Sequence, residues 1–204
     1  LSLTDEKPTE KVEASIYSLQ KVDFMTESIE NAACWQKLWE DSDIYIDGDP
    51  KAQLGIRFSI FCLLAAGPRD INNISIGAKG LTGEGYRGMV FWDTDIHIKP
   101  FYDFTQPDIS RNLALFRYNT LDGARKKAER YGFKGASYPW ETGISGEEEC
   151  EKFLKLITHQ LHITVDVVYA LKQYYDCTND EEFYVNCAAE VFIETARFWV
   201  SKAV

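Results

Sequence analysis

Apolar positions in this chain recur at helical spacing and almost nowhere alternate. Over residues 6–22, Val12, Ile16 and Leu19 stand three and four apart in a polar background, which predicts a helix. A second is predicted over 26–40, with Ile29, Ala33, Leu38 and Trp39 on its apolar side. The polar run 41–48 breaks it. Its one alternating stretch, 43–47, reads as an extended connector. Asp49 then caps a third helix that has Pro50 at its first position. The body of that helix, 52–66, is almost entirely apolar apart from Gln53, Arg57 and Ser59, and a helix apolar nearly all round is expected to be buried. Gly67-Pro68 stops it.

A glycine-rich loop follows, then a short helix over 92–104, interrupted or ended by Pro100. Gln106-Pro107-Asp108 opens a long amphipathic helix predicted over 109–131 and ended by Gly132. Its charge run, Arg125-Lys126-Lys127 with Glu129 and Arg130, reads as a solvated face. Two more helices are predicted over 158–175 and 180–202. There is no β-α alternation and no internal repeat, so the expected fold class is all-α. Long helices with polar loops between them fit an α/α toroid.

Bulk composition narrows the function classes. At 204 residues, 45% hydrophobic and 14% aromatic, the chain is expected to be globular and within the range of one domain. A net charge of −10 without a basic cluster excludes nucleic acid as a partner, because phosphate contacts dominate that affinity. Cys34, Cys62, Cys150, Cys177 and Cys187 are dispersed and odd in number, which points to reduced, mostly buried thiols and to neither a metal site nor a disulfide framework. No apolar run has the length of a membrane span and no signal-like segment opens the chain, so the expected location is cytoplasmic. The chain opens on Leu1 without an initiator Met, as a trimmed chain or an excised piece would.

The chemistry is concentrated at 80–93. Gly83, Gly85 and Gly88 suit a backbone that needs positive φ or a close approach, and the run closes on Phe91-Trp92-Asp93. A flat ring beside a carboxylate suits a sugar: the ring covers the C–H face of a pyranose and the carboxylate accepts from neighbouring hydroxyls. On spacing alone, a buried Trp followed by a helix-capping Asp explains the same residues equally well. A second ring–carboxylate pair, Trp140-Glu141, follows Pro139.

These segments resemble the catalytic domain of glycoside hydrolase family 65, the inverting phosphorylases of maltose, trehalose, kojibiose, nigerose and related α-glucosides. The resemblance rests on the run 75–88, on Phe91-Trp92-Asp93-Thr94, on Arg117-Tyr118-Asn119-Thr120-Leu121-Asp122-Gly123-Ala124-Arg125, on Tyr138-Pro139-Trp140-Glu141 and on Gly146-Glu147-Glu148, in that order. It covers roughly residues 35–204. One departure is Met89, where the family usually has His.

The resemblance implies an (α/α)6 barrel, of which 1–204 would be one partial catalytic domain holding about half of the helices, with 1–34 as a leading helical segment. It implies an α-linked glucose disaccharide and inorganic phosphate as substrates and no other cofactor. Trp92 and Asp93 resemble residues that embrace the glucose unit at subsite −1. Trp140 and Glu141 resemble the pair lining that site toward subsite +1. Tyr86, Glu84 and His162 are further substrate-binding candidates, although Glu84 equally suits the loop's own N–H groups. Thr158 and His159 fall where acceptor contacts are expected, and His97 has no such match.

Phosphate can attack the anomeric carbon itself, so such a reaction needs a general acid and no protein base. The family's acid lies in a Gly-Pro-Asp-Glu-Tyr motif that is absent from this sequence, so no catalytic residue is assigned and the acid is expected beyond Val204. Half a toroid would leave inner helix faces uncovered, so a homo-oligomer or a second chain completing the barrel is expected. The contrasting readings are a non-catalytic helical sugar-binding or interaction module, and a hydrolase of the same superfamily.

Overall fold

The computed structural model describes residues 7–81, 83, 85–150 and 156–203, without the Thr158 side chain. The chain divides into two compact units, Leu1–Ile60 and Phe61–Val204. In order the elements are α1 (Pro8–Leu19), α2 (Phe24–Glu40), α3 (Pro50–Ala66), β1 (Val90–Phe91), α4 (Lys99–Thr105), α5 (Pro107–Asn119), α6 (Leu121–Arg130), β2 (Glu141–Thr142), α7 (His162–Thr178), α8 (Glu181–Phe183) and α9 (Ala189–Lys202). The fold is mostly helical, as the apolar spacing predicts, and is consistent with part of an α/α toroid.

In the first unit, Asp23 caps α2, its carboxylate accepting from the Met25 and Thr26 N–H groups. Asp49 caps α3 in the same way through Lys51 and Ala52. The connector 43–47 is extended and is pinned to α3. Gln53 donates to the Ile44 carbonyl (2.9 Å) and accepts from the Ile46 N–H, while Arg57 pairs with Asp43. The reading of α3 as a buried helix is corrected: Leu54 and Phe58 are 72% and 66% exposed, and Ile60 and Leu64 are its buried residues. Apolar composition shows what a helix can bury, whereas burial also needs a neighbour on each side. The same applies to the thiols. All five cysteines are free, but Cys34, Cys62 and Cys177 are exposed and only Cys150 is fully buried.

The second unit carries the core. Leu121, Ala124, Tyr138, Ile163, Val167, Leu171, Phe183 and Val191 bring α6, α7, α8 and α9 together. Ile76, Tyr102, Ile109 and Leu113 form a second cluster, against which Leu63 and Ala66 pack. Pro100 neither interrupts nor ends its helix. Ahead of it, residues Thr94–Ile98 form one turn of π-helix, closed by the Lys99 N–H on the Thr94 carbonyl. The wider turn accommodates a residue that has no N–H to give the preceding turn.

The long helix expected over 109–131 is two helices, broken at Thr120. Thr120 donates its hydroxyl to the Phe116 carbonyl (2.8 Å), and the chain near Gly146 presses into the break. Gly146 sits at φ +71, and a Cβ there would lie 2.4 Å from the Thr120 oxygen. A Cβ on Gly123 would lie 2.2 Å from the Gly146 carbonyl carbon. The Leu121-Asp122-Gly123 segment is therefore a seat for the 143–149 turn.

In the charge run on α6, Lys126, Glu129 and Arg130 are exposed as a solvated face requires, but the reading is corrected at Arg125 and Lys127, which brace the helix. Lys127 is buried against Glu148, Arg125 donates to Asp122, Glu190 and Glu194, and Lys126 pairs with Glu147. The long stems of Lys and Arg allow buried attachment on an otherwise polar-looking helix.

Gly123→Ala is expected to destabilise the chain by about 1–3 kcal/mol, because backbone on the facing side cannot yield as a flexible side chain would. Thermal unfolding checks this, and an unchanged Tm would contradict the close approach.

Candidate functional site: two ring–carboxylate pairs joined by a short sheet

β1 and β2 pair antiparallel with Val90 opposite Thr142 and Phe91 opposite Glu141. Continuing that register one step sets Trp92 beside Trp140. Two segments far apart in sequence thereby bring the two indoles to one place. The indole centroids are 6.4 Å apart at 56°. His162, at the start of α7, stands edge-on to both rings, 5.0 Å from Trp92 and 6.0 Å from Trp140. Its Nδ1 lies 2.6 Å from an Asp166 carboxylate oxygen one helical turn on. Tyr86, largely exposed, meets the Phe91 ring edge-on at 5.3 Å, and Phe91 meets Trp140 at 6.4 Å. The structure thus gathers Tyr86, Trp92, Trp140, Glu141 and His162.

The two carboxylates differ in environment. Asp93 is exposed and does not cap the helix that follows, which removes the capping explanation for it. The Glu141 side chain is only 10% exposed and is held by the Arg87 guanidinium. Both indoles are half-buried. The Trp92 ring N–H is buried without a partner among the described residues, an uncommon state for a strong donor. Glu84 and the Thr158 side chain lie outside the described residues. His159 packs instead on Tyr131, 5.2 Å between rings.

The glycine loop is tighter than its composition indicates. Of Gly83, Gly85 and Gly88, only Gly88 adopts positive φ. Tyr86 and Arg87 are both left-handed, at φ 58 and 57, although neither is glycine. Two such residues in succession cost about 1–3 kcal/mol each unless their surroundings hold them. Here the Met89 N–H returns to the Tyr86 carbonyl (3.0 Å), Lys79 lies over the Tyr86 ring and Arg87 reaches Glu141. The strain turns Arg87 toward the second pair. Met89 closes the loop base, its carbonyl accepting from the Ala78 N–H (3.2 Å).

Against the β1 backbone lies a buried ion pair. Arg117, 1% exposed, holds the Asp95 carboxylate through Nε (3.0 and 3.1 Å) and Nη2 (2.5 Å), and donates to the Phe91 carbonyl (3.3 Å). Its own carbonyl accepts from the Tyr138 hydroxyl (2.8 Å), so one residue ties both strands' approaches together. Burial pushes the Tyr138 hydroxyl well above its ordinary range and keeps it a donor.

Sequence reading missed three parts of this arrangement. Arg87 had no assigned partner, because its contact with Glu141 depends on a two-residue strand pair too short to show alternation. His97, dismissed on sequence, packs 5.4 Å from the Trp92 ring because the π-turn swings it there. Glu148, named in the sequence only within the Gly146-Glu147-Glu148 motif and given no role, is buried.

Asp95→Asn is expected to leave the Arg117 charge unpaired inside the core and cost about 3–5 kcal/mol. Denaturant unfolding of the chain checks this, and a midpoint equal to wild type would show that the pair bears no weight.

The chain has relatives among known proteins. The profile of the glycosyl hydrolase family 65 central catalytic domain matches residues 57–204. The kojibiose phosphorylase of Halothermothrix orenii is 47% identical over 180 residues, covering 82% of this chain and 23% of that protein. The alpha,alpha-trehalose phosphorylase of Thermoanaerobacter brockii is 50% identical over 161 residues, covering 79% and 20%. A solved structure of a kojibiose phosphorylase candidate from the human microbiome superimposes with a TM-score of 0.88 at 32% identity, covering 94% of this chain and 25% of its own. The chain thus spans about a quarter of the length of these relatives. With 57–204 matched, this chain belongs to glycosyl hydrolase family 65, a family of glycoside phosphorylases and hydrolases, through its central catalytic domain.

Proposed function

We propose that this chain supplies the glucose-holding side of the active site of an inverting disaccharide phosphorylase, which cleaves an α-glucoside with inorganic phosphate to glucose 1-phosphate. The observation that carries the reading is the contact of the Trp92 and Trp140 indoles at the end of the β1–β2 pair, each with a carboxylate next to it in the chain. In this reading the indoles cover the apolar face of the glucose unit. Asp93, free toward solvent, takes hydroxyl hydrogens, while Glu141 is fixed by Arg87 before any sugar arrives. Such pre-ordering lowers the cost of binding. Tyr86 and His162 border the same place, and Glu84 and Thr158 remain candidates by sequence alone.

The chain by itself lacks the rest of the chemistry in this proposal. Residues 1–204 form part of one catalytic (α/α)6 domain and act in the cytoplasm. The general acid comes from outside these residues, since Glu141 is committed to Arg87 in a binding role. Phosphate has no holder on α6 either, because Arg125, Lys126 and Lys127 are each matched by carboxylates. Among the described residues no helix is long and apolar enough to cross a membrane. The exposed Leu54, Phe58 and Phe61 give α3 an apolar face, which supports self-association or coverage by a second chain.

Three outcomes are expected. Asp93→Asn in the full-length protein should weaken disaccharide binding by about 1–3 kcal/mol, and a wild-type kcat/KM would refute the assignment. Residues 1–204 alone should release no glucose 1-phosphate from maltose, trehalose, kojibiose or nigerose, since general acid catalysis supplies roughly 10²–10⁴-fold of such a rate. Release above background that Glu141→Gln abolishes would instead make Glu141 the acid. In light scattering at tens of micromolar, residues 1–204 should associate. A monodisperse monomer that binds no hydrophobic dye would count against the apolar face.

A further inference from the structure

The Trp140-Glu141 pair does not hold itself in place. The Glu148 carboxylate, with its side chain fully buried, accepts four hydrogen bonds. Oε2 takes the Trp140 N–H (2.8 Å) and the Lys127 ammonium (2.8 Å). Oε1 takes the N–H groups of Glu141 (3.2 Å) and Cys150 (3.3 Å). A carboxylate has room for about four such donors, so this one is fully used by its own protein. Lys127 also donates to the Tyr138 carbonyl (3.1 Å), two residues ahead of Trp140. The Glu149 N–H returns to the Glu141 carbonyl (2.9 Å), and the Gly146 turn is seated on Thr120 and Gly123. The segment 138–150 is thus folded around a single carboxylate that is closed off from solvent.

We propose that Glu148 is the positioning residue of the sugar site: by accepting the Trp140 and Glu141 N–H groups, it sets the direction of the indole and carboxylate that meet the glucose unit. This rests on the sugar-site reading above. The chemistry makes the role specific to an acceptor on both edges. A glutamine of the same shape presents its NH2 group to one pair of donors, either Lys127 with Trp140 or Glu141 with Cys150, and donors cannot bond donors. One strand residue must then shift, and a misplacement of about 1 Å in a binding group can cost up to about 10²-fold.

The test is Glu148→Gln in the full-length protein, assayed for phosphorolysis at a temperature where the variant is folded. The KM for disaccharide should rise about tenfold or more, as expected for a mispaired buried group, while the KM for phosphate stays within about twofold. A wild-type disaccharide KM, or equal rises in both constants, would overturn the assignment. If the unpaired Lys127 prevents folding, the double variant Glu148→Gln with Lys127→Met removes that charge and should fold with the same selective rise. A folded double variant with a wild-type disaccharide KM would overturn it as well. Near-ultraviolet circular dichroism separates this claim from the sugar reading. The band from the adjacent Trp92 and Trp140 indoles should diminish in Glu148→Gln whether or not the protein turns over a disaccharide, and an unchanged band would overturn the positioning role. Absence of any disaccharide turnover by the wild type, with the band still diminished in the variant, would instead sink the sugar reading and leave the positioning role standing.

Discussion

The pairing of Phe91 with Glu141 across two strands of two residues each is the constraint on which the site depends. A ladder this short cannot hold itself together in water. It is held from outside, by Arg117 on the Phe91 carbonyl and Glu148 on the Glu141 N–H. Both holders are buried and charged, and each has an opposite charge beside it, Asp95 for Arg117 and Lys127 for Glu148. Buried pairs of this kind contribute little net stability against apolar replacements, but breaking one is costly. Their return is geometric: they fix the register that places Trp92 beside Trp140.

The helices supply these charges at set positions. Arg117 lies on α5 and Lys127 on α6, on either side of the break at Thr120. A continuous helix would leave no seat for the Gly146 turn, and Glu148 would lose its place opposite Lys127. The break, the two close-packed glycines and the buried pair therefore act together. The π-turn at 94–98 has a similar place in β1: it follows Trp92-Asp93 directly, carries Asp95 to Arg117 and brings His97 against the Trp92 ring.

Much of this was legible in the sequence, and the limits have physical causes. Helices α1 to α3, the capping by Asp49 and the stops at Gly67 and Gly132 follow from spacing and backbone chemistry. The ring–carboxylate pairs stood out in the sequence as candidates for a sugar site, and the structure brings their two indoles together. Periodicity could not show the break at Thr120, because the apolar stripe continues across it and the cause lies in a turn more than twenty residues downstream. Nor could it show that Lys127 is buried, since a lysine stem that buries its charge looks like any surface lysine. The apolar α3 misled in the opposite direction, because composition carries no information about which faces find a neighbour.

In the proposed site, glucose is held by both ring–carboxylate pairs at once. A crystal structure of the full-length protein soaked with glucose tests this most directly. The predicted result is one pyranose against the Trp92 and Trp140 rings, with hydroxyls hydrogen-bonded to Asp93 and to Glu141 while Arg87 remains on Glu141. A sugar bound with neither carboxylate within hydrogen-bond reach would contradict the claim.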